Sequence, residues 1–274
     1  MKRRTGNAGN GSYVFPRHPS EIDRLDVQHY SVREIMQANY LAPLHQPAAI
    51  LDVGCGTGQW PIELSVEFPR ALVVGFDSEK PKPKARTPVN YRFVHGNALQ
   101  GLPFGDDSFD FVHQRFLIAG IPVKSWAPAM LELVRVTRPD GWVELAESPS
   151  WVTRMGKSTG QLLEMLQALL RARGLDTAGV VYGALDAHLR RAGLIDVHVQ
   201  TLELPVGDWG GQVGSLMASD ARAALVRLVD VFEARLGVPA QQCTEMVATM
   251  LEECEQRHSA LELKVAYGRK ARPE

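Results

Sequence analysis

The sequence predicts an α/β fold, a parallel sheet with helices on both of its faces. Three observations predict it. Short apolar runs recur along the chain, several ending in an acidic or small residue. Amphipathic stretches separate them. The first run, Ala48 to Val53, breaks into glycines at alternate positions, Gly54, Gly56 and Gly58. Strand, glycine loop and helix in that order bring bare backbone and a helix N-terminus to a ligand, because a Cβ would block close approach.

The elements follow in order. Glu21 to Leu44 reads as a helix, with Leu25, Val27, Tyr30, Val32, Ile35, Met36 and Tyr40 on a broad apolar face. Ala48 to Val53 is the first strand, and the helix after its loop carries Ile62, Leu64, Val66 and Phe68 among charges. Ala71 to Phe76 is a second strand ending in Asp77, and Tyr91 to His95 a third leading into Gly96-Asn97-Ala98. Phe109 to His113 is a fourth, after the turn Gly105-Asp106-Asp107-Ser108. Asp110 inside it reads as structural, holding backbone amides. A helix over Ala127 to Val136, the turn Arg138-Pro139-Asp140-Gly141 and a fifth strand, Trp142 to Glu147, complete the alternation. Then come helices at Gln161–Arg173 and Ala184–Ala192, the latter capped by Gly193, and an alternating strand, Leu194 to Leu204. After the break Gly207-Asp208-Trp209-Gly210-Gly211, two helical segments (Val213–Leu236 and Pro239–Gln256) precede a last strand, Ala260 to Gly268.

The glycine spacing narrows the ligand. A dinucleotide site would show G-x-G-x-x-G and a P-loop G-x-x-x-x-G-K-[ST]. Here the pattern is G-x-G-x-G, with Asp52 two residues ahead of it. Asp77, at the end of the second strand, is placed to accept both hydroxyls of a ribose. This is a nucleoside-type cofactor site with no phosphate cradle.

The D-x-G-x-G-x-G run resembles motif I of the class I S-adenosylmethionine-dependent methyltransferases. The likeness extends further. Glu21-Ile22-Asp23-Arg24-Leu25-Asp26-Val27-Gln28-His29 resembles the E-x-D-R-x-D-x-x-H opening of the LaeA-like, or TAM-domain, methyltransferases. Phe109 to Leu117 is similar to their F-D-x-[IV]-H-x-R-x-[LM], and Gly141-Trp142-Val143-Glu144 with Glu147 to their G-G-W-x-E-x-x-E. Trp209-Gly210-Gly211-Gln212-Val213-Gly214 and Tyr267-Gly268-Arg269-Lys270 are similar to their W-G-x-x-[IV]-G and Y-G-x-K. Asp140 departs from the family's second glycine, which should alter only the turn, and Asn97 from its commoner Asp, with an amide that can still face adenine.

The resemblance implies a Rossmann-like, seven-stranded class I methyltransferase sheet whose last strand is antiparallel, with a helical cap insertion. It implies a lid helix over 20–45, a cofactor-binding core over 46–206 and 258–270, and the cap over 207–257, while the basic, Gly/Asn-rich start of the chain reads as a disordered tail over 1–19. S-adenosyl-L-methionine, leaving as S-adenosyl-L-homocysteine, would be held by Asp52, Gly54, Cys55, Gly56, Gly58, Asp77, Ser78, Asn97, Ala98 and Gln114. Gly54 and the Gln114 carbonyl would take the methionine amine. Cys55 reads as a small tolerated residue rather than a nucleophile.

Methyl transfer needs an acceptor held near the methyl carbon and water excluded; a base is needed only when the acceptor carries a proton. His113 and Glu147 end the fourth and fifth strands and are the catalytic candidates. His113 reads equally as a general base or a hydrogen-bonded structural histidine. Arg115 reads as a partner for a substrate carboxylate, or as a salt-bridge partner of Asp23 or Asp26. His29, Tyr30, Trp209 and Met217 complete the substrate candidates, against the plain alternative that cap side chains only pack.

Composition sets bounds. The 274 residues carry a net charge of −1 and 45% hydrophobic residues, enough for a core and no general field for nucleic acid. The basic run Lys80 to Arg86 is broken by prolines and reads as a solvated loop. No apolar run is long enough to span a membrane, and the start of the chain lacks a secretory signal. The three cysteines lack zinc-type spacing, no metal is expected, and a reducing cytoplasm fits. Two functions stay open. One is a small-molecule methyltransferase of secondary metabolism, favouring O-methylation of a hydroxyl or carboxylate. The other is a cofactor-binding regulator or non-methylating catalyst, such as a cyclase. Neither nucleic acid nor membrane is expected as a partner, and monomer and homodimer both remain open.

Overall fold

A computed structural model describes residues 19–82 and 86–273, with side chains from Arg24 onward. The tail expected over 1–19 lies outside these residues except for Pro19, as does the middle of the basic run, residues 83–85. Seven strands form one sheet: β1 (Ala49–Val53), β2 (Leu72–Asp77), β3 (Tyr91–His95), β4 (Phe109–Arg115), β5 (Thr137–Glu147), β6 (Leu194–Pro205) and β7 (Ala260–Lys270). Their order is β3-β2-β1-β4-β5-β7-β6. β1 to β5 pair in parallel, and β7 runs antiparallel between β5 and β6. This is the sheet the resemblance implied.

The order brings the C-terminal ends of β1, β2 and β4 to one edge, on either side of the point where the chain direction of winding reverses. Open α/β sheets bind ligands at such a point. β1 is buried at every residue, which is why it reads as an unbroken apolar run apart from Asp52.

Eight α-helices accompany the strands among the described residues: α1 (Pro19–Met36), α2 (Gln59–Glu67), α3 (Trp126–Val136), α4 (Lys157–Arg171), α5 (Leu185–Arg191), α6 (Gly211–Val226), α7 (Val229–Leu236) and α8 (Ala240–Arg257). One apolar cluster lies between the sheet, α3 and α5, around Trp126, Met130 and Leu185. A smaller one lies under α2, around Trp60 and Phe111. A third joins α1, α4 and α6 to α8 with the far end of the sheet, through Val32, Leu162, Met217, Phe232, Met250 and Leu263.

Four expectations need correction. The first helix stops at Met36, not Leu44, and Gln37 takes a left-handed φ of 53°. The linker beyond it is drawn to β5, where one oxygen of Glu144 accepts the Leu41 and Ala42 N–H groups, both at 2.8 Å. Arg138 to Gly141 is not a turn before the fifth strand. It is an irregularity inside β5, opposite a register shift between Phe109 and Phe111, with Asp140 at φ 64° and paired to Arg269 at 2.7 Å. The helix expected over Val213–Leu236 is two helices, because Leu228 turns inward to full burial between them. β6 was expected to alternate; it is an edge strand, and Ile195 and Val199 on it are 41% and 44% exposed. Asp110, read as structural, does accept the Ala48 and Ala49 N–H groups, both at 2.8 Å.

Candidate functional site

A single cavity of about 1230 Å³ runs from the ends of β1, β2 and β4 to the space between α4, α6 and α8. At the first end its wall is the glycine loop. Gly54 and Gly56 adopt φ of 76° and 54°, a region L side chains enter at a cost. A Cβ on Gly54 would press the Leu117 side chain at 2.6 Å, whereas one on Gly56 would meet only Leu25, at 3.7 Å. The loop amides are less bare than the sequence suggested. Gly54 and Cys55 donate to the Phe76 carbonyl, and Gly58 donates to that of Cys55. The loop is thereby shaped by β2, and its open surface comes from missing side chains.

Asp77 Oδ2 accepts the Gly56 N–H at 2.9 Å, and its Oδ1 accepts that of Glu79 at 2.8 Å. A carboxylate has about four lone-pair directions, and Asp77 lines the cavity. Asn97 Oδ1 accepts the Leu99 N–H at 2.9 Å, capping a short helical turn and leaving the side-chain NH₂ to point elsewhere.

Titratable groups crowd one face of the sheet. Asp52, His113 and Glu144 are register partners across β1, β4 and β5. His113 Nδ1 lies 2.8 Å from Asp52 Oδ1, and its ring stacks on Trp60 at 4.0 Å and 6°. Burial lowers its pKa against the pull of Asp52, so the ring is held neutral. Arg115, two residues further, reaches His29 of α1: Nη2 lies 2.9 Å from Nδ1. A guanidinium has no lone pair to offer, so His29 Nδ1 is the acceptor and the ring proton sits on Nε2, 3.2 Å from Glu63 Oε1. Asp26, one expected partner of Arg115, instead accepts the Thr57 hydroxyl at 2.5 Å; the Asp23 side chain lies outside the described residues.

Glu147 points to the opposite face from Glu144, as strand alternation requires of residues three apart. Its two oxygens accept the Leu117 and Ile118 N–H groups, both at 3.0 Å, and it is fully buried. Burial raises its pKa to about 8, and that of Glu144 to about 7. The turn it holds begins with Phe116 in a left-handed conformation, φ 57°.

At the helical end the wall is apolar, with Trp151, Leu163, Leu166, Met217 and Met250. The acids that line it are spent. Asp176 accepts four backbone N–H groups, from Ala178, Val180, Val181 and Tyr182. Asp220 of α6 pairs with Arg24 of α1 at 2.7 Å.

The structure therefore gathers Asp52, Gly54, Cys55, Gly56, Asp77, Ser78, Asn97, Ala98, His113, His29, Arg115 and Met217 on one cavity. Gly58, Gln114, Glu147, Tyr30 and Trp209 do not line it. Gly58 starts α2 and backs onto Tyr91, whose hydroxyl a Cβ would meet at 2.9 Å. Gln114 is fully buried on the Glu147 face of the sheet, and neither end of its amide makes a hydrogen bond of sound geometry among the described residues. Tyr30 is 40% exposed on the outer side of α1. Trp209 stacks on His258 at 5.0 Å and donates to the Val206 carbonyl at 3.2 Å, at the root of the helical insertion. Sequence reasoning missed Leu25, Thr57, Phe116, Leu117 and the Arg24–Asp220 pair. Arg24 and Asp26 stood in a motif already noted; the 116–118 turn and Asp220 carried no local signal.

A family model described as a methyltransferase domain matches residues 50–141. The chain is 32% identical over 245 residues to "Methyltransferase pytC" of Aspergillus terreus, covering 82% of this chain and 71% of that protein. It is 28% identical over 207 residues to "Secondary metabolism regulator laeA" of Aspergillus fumigatus, covering 73% of this chain and 54% of that one. Among solved structures, Haemonchus contortus phosphoethanolamine N-methyltransferase 2, bound to phosphomonomethylethanolamine and S-adenosylhomocysteine, superposes with a TM-score of 0.52 at 16% identity, covering 95% of this chain and 55% of that protein. At that identity the likeness is one of fold.

Proposed function

The chain belongs to the class I S-adenosylmethionine-dependent methyltransferases, in their LaeA-like group, and from that premise we propose that it methylates an oxygen of a small, largely apolar molecule. S-adenosylmethionine is its cofactor and, when bound, supplies an electrophilic methyl on a sulfonium sulfur. The residues fit that group. Gly56 leaves the cavity wall open where a side chain would stand, Gly54 makes room for the Leu117 side chain, and Asp77 and Asn97 stand at the ends of β2 and β3 on the same cavity.

The observation that carries the proposal is the extent of the cavity. About 1230 Å³ exceeds the roughly 300–1,000 Å³ of a pocket for one small ligand. It is continuous from the glycine loop to the helices, so two molecules fit end to end. The wall of Leu163, Leu166, Met217 and Met250 suits an apolar acceptor. That assigns helices α6 to α8, in the 207–257 insertion, to covering the acceptor, together with α4 and α1.

The acceptor end supports a reaction without a general base. Asp176 and Asp220 are spent on amides and on Arg24, His113 is held by Asp52 at the other end, and Glu147 holds a turn. Among the described residues, Arg173 is an exposed side chain on the lining of that end with no side-chain hydrogen bond or ion pair, and a cation there favours an anionic acceptor. A carboxylate, or a hydroxyl acidic enough to ionise in the site, is the matching nucleophile. Positioning and exclusion of water then supply the acceleration.

A place in secondary metabolism is supported by the similarity to a relative named as its regulator. That similarity also favours a second reading, in which the chain binds the cofactor but acts in regulation. A reducing, cytoplasmic setting is supported by Cys55, Cys243 and Cys254, all buried and unpaired. No helix among the described residues is long and apolar enough to cross a membrane. The test is calorimetric titration with S-adenosylmethionine, followed by measuring S-adenosylhomocysteine release across a panel of aromatic acids, phenols and their methylated forms. Turnover of acids or acidic phenols is expected. Cofactor binding without turnover of any acceptor would favour the second reading.

A further inference from the structure

Among the described residues, the cavity reaches solvent at two places. Of the residues that line it, Ser78, Glu79, Lys80, Lys82 and Leu99 are exposed around the ends of β2 and β3, and Arg173 is exposed beyond α4. Arg173 sits in a surface turn, for Arg171, Ala172 and Gly174 beside it are exposed as well. That turn is tied to the segment after β4, because the Gly174 carbonyl accepts the Val123 N–H at 2.9 Å. Gly120 and Ile121, just before Val123, line the same cavity. The second mouth therefore lies between residues 120–123 and 171–174, at the helical end.

The two mouths differ in charge. The first mixes Asp77 and Glu79 with Lys80 and Lys82. At the second, Lys124, Arg171 and Arg173 are all exposed, and none of them makes a side-chain hydrogen bond or ion pair among the described residues. Arg171 ends α4, where a cation offsets the helix dipole. That accounts for one of the three. Arg173 lies past the helix, and Lys124 stands just ahead of the N-terminus of α3, where the dipole disfavours a cation. Asp176, the acid on this part of the lining, is buried and accepts backbone N–H groups. Behind the rim the walls are apolar, with Ile121, Trp151, Leu166 and Leu170. Unpaired charge of one sign at the lip of a low-dielectric cleft focuses its field into the opening and draws in ions of the opposite sign.

We propose that the mouth at Arg173 is the acceptor's own entrance, and that Lys124, Arg171 and Arg173 draw into it acceptors that carry a carboxylate or another small anionic group. The inference rests on the methyltransferase reading. The cofactor exchanges through the mouth at Ser78 to Lys82 and the acceptor through the other, so neither has to leave before the other can move. With a single mouth, whichever molecule lay nearer to it would bar the way of the second. Because the three cations stand at the surface, they act on the rate of entry and not on the methyl-transfer step.

The test uses the full chain and two fluorescent naphthols of one shape, 6-hydroxy-2-naphthoate and its neutral carboxamide. Each is mixed by stopped flow with protein saturated with S-adenosylhomocysteine. At about 20 mM salt the naphthoate should associate at least about tenfold faster than the carboxamide, and the gap should close at about 0.5 M, where charges are screened within about 3–5 Å. The combined variant Lys124→Glu, Arg171→Glu and Arg173→Glu should slow naphthoate entry by about tenfold or more, with carboxamide entry and S-adenosylhomocysteine affinity kept within about twofold. If that variant fails to fold, Lys124→Gln with Arg171→Gln and Arg173→Gln removes the charge without reversing it, and naphthoate entry should slow by about threefold or more. Equal rates for the two naphthols in wild type, or a rate ratio unchanged in the folded variant, overturn the entrance. So does naphthoate entry that S-adenosylhomocysteine slows by about tenfold or more, because the two would then share one mouth. A chain that binds S-adenosylhomocysteine but neither naphthol overturns it as well. Each of these results leaves the methyltransferase reading standing, whereas a chain that does not bind S-adenosylhomocysteine defeats that reading and the entrance with it.

Discussion

At the glycine loop the cavity wall is backbone and carboxylate, taken from Asp52 to Gly56 and Asp77; at the helical end it is aliphatic side chain, taken from α4, α6 and α8. The first end recognises by direction. Its groups must sit at hydrogen-bond distance, and Asp77 holds the loop through Gly56 while facing the cavity. On the proposed reading the second end would recognise chiefly by shape, with Asp176 turned to backbone amides and Asp220 paired with Arg24. A directional site fails when one contact fails. An apolar wall degrades by degrees, since each side chain contributes a share of contact area.

The largest effect is expected at Gly56. There is room for a Cβ, so Gly56→Val tests conformation: a β-branched residue at φ 54° must move the loop or stay strained. Obstruction of the ligand, by the new side chain or by a loop moved to relieve about 1–3 kcal/mol of strain, should lower S-adenosylhomocysteine affinity by about 100-fold or more, with the melting temperature falling by no more than about 10 °C. Affinity within a few-fold of wild type would show that the loop does not approach the ligand. Asp77→Ala comes next. Loss of hydrogen bonds to a charged group should weaken cofactor binding by about 1.5–3 kcal/mol in titration. A smaller change would move the ribose away from Asp77.

At the other end, Met217→Leu keeps volume in a residue that is 1% exposed, so stability should fall by less than about 1.5 kcal/mol. Cofactor affinity should not change, while the ratio of kcat/KM between a shorter and a longer acceptor shifts by about tenfold or less. An equal effect on both acceptors and on the cofactor would erase the distinction between the two ends. The mildest effect is of pH. Glu144 and Glu147 hold their protons more tightly folded, at about 7 and about 8, than at the ordinary carboxylate value of 4.5. Their contribution to stability is therefore full below about 4.5 and is lost as pH rises through 7 and 8. The melting temperature should drift down across that window, and Glu147→Gln should flatten the drift. A wild-type profile in Glu147→Gln would mean that the amides of Leu117 and Ile118 keep the acid ionised throughout.

Much of the sheet end was legible because local pattern and tertiary role coincide there. An apolar run that stops at Asp52 and Gly54 can hardly be anything but a central strand entering a loop, and Asp110 in a strand pattern announced that it would hold amides. The helical end was legible only as helices. Nothing near Leu228 breaks a helix by composition; the chain turns there because that side chain finds a core made by distant segments. Trp209 looked like a pocket wall from its type and place, and is committed instead to His258. Glu147 looked like chemistry because a buried acid at a strand end often is; that it grips two amides could be read only from the turn it faces.

The Arg24–Asp220 pair joins residues 196 positions apart. During synthesis, at about 5–20 residues per second, the glycine loop and the first five strands emerge well before α6 exists. A nascent chain thus has a cofactor ledge long before it has anything to shut over it. Whatever binds the ledge at that stage can leave freely. Closure awaits the last quarter of the polypeptide, so a ribosome-stalled or C-terminally clipped chain would carry loop, strands and α1 yet lack Asp220, the carboxylate that Arg24 meets at 2.7 Å. Truncation from that end is expected to leave a chain with the sheet's first strands but without a closed chamber.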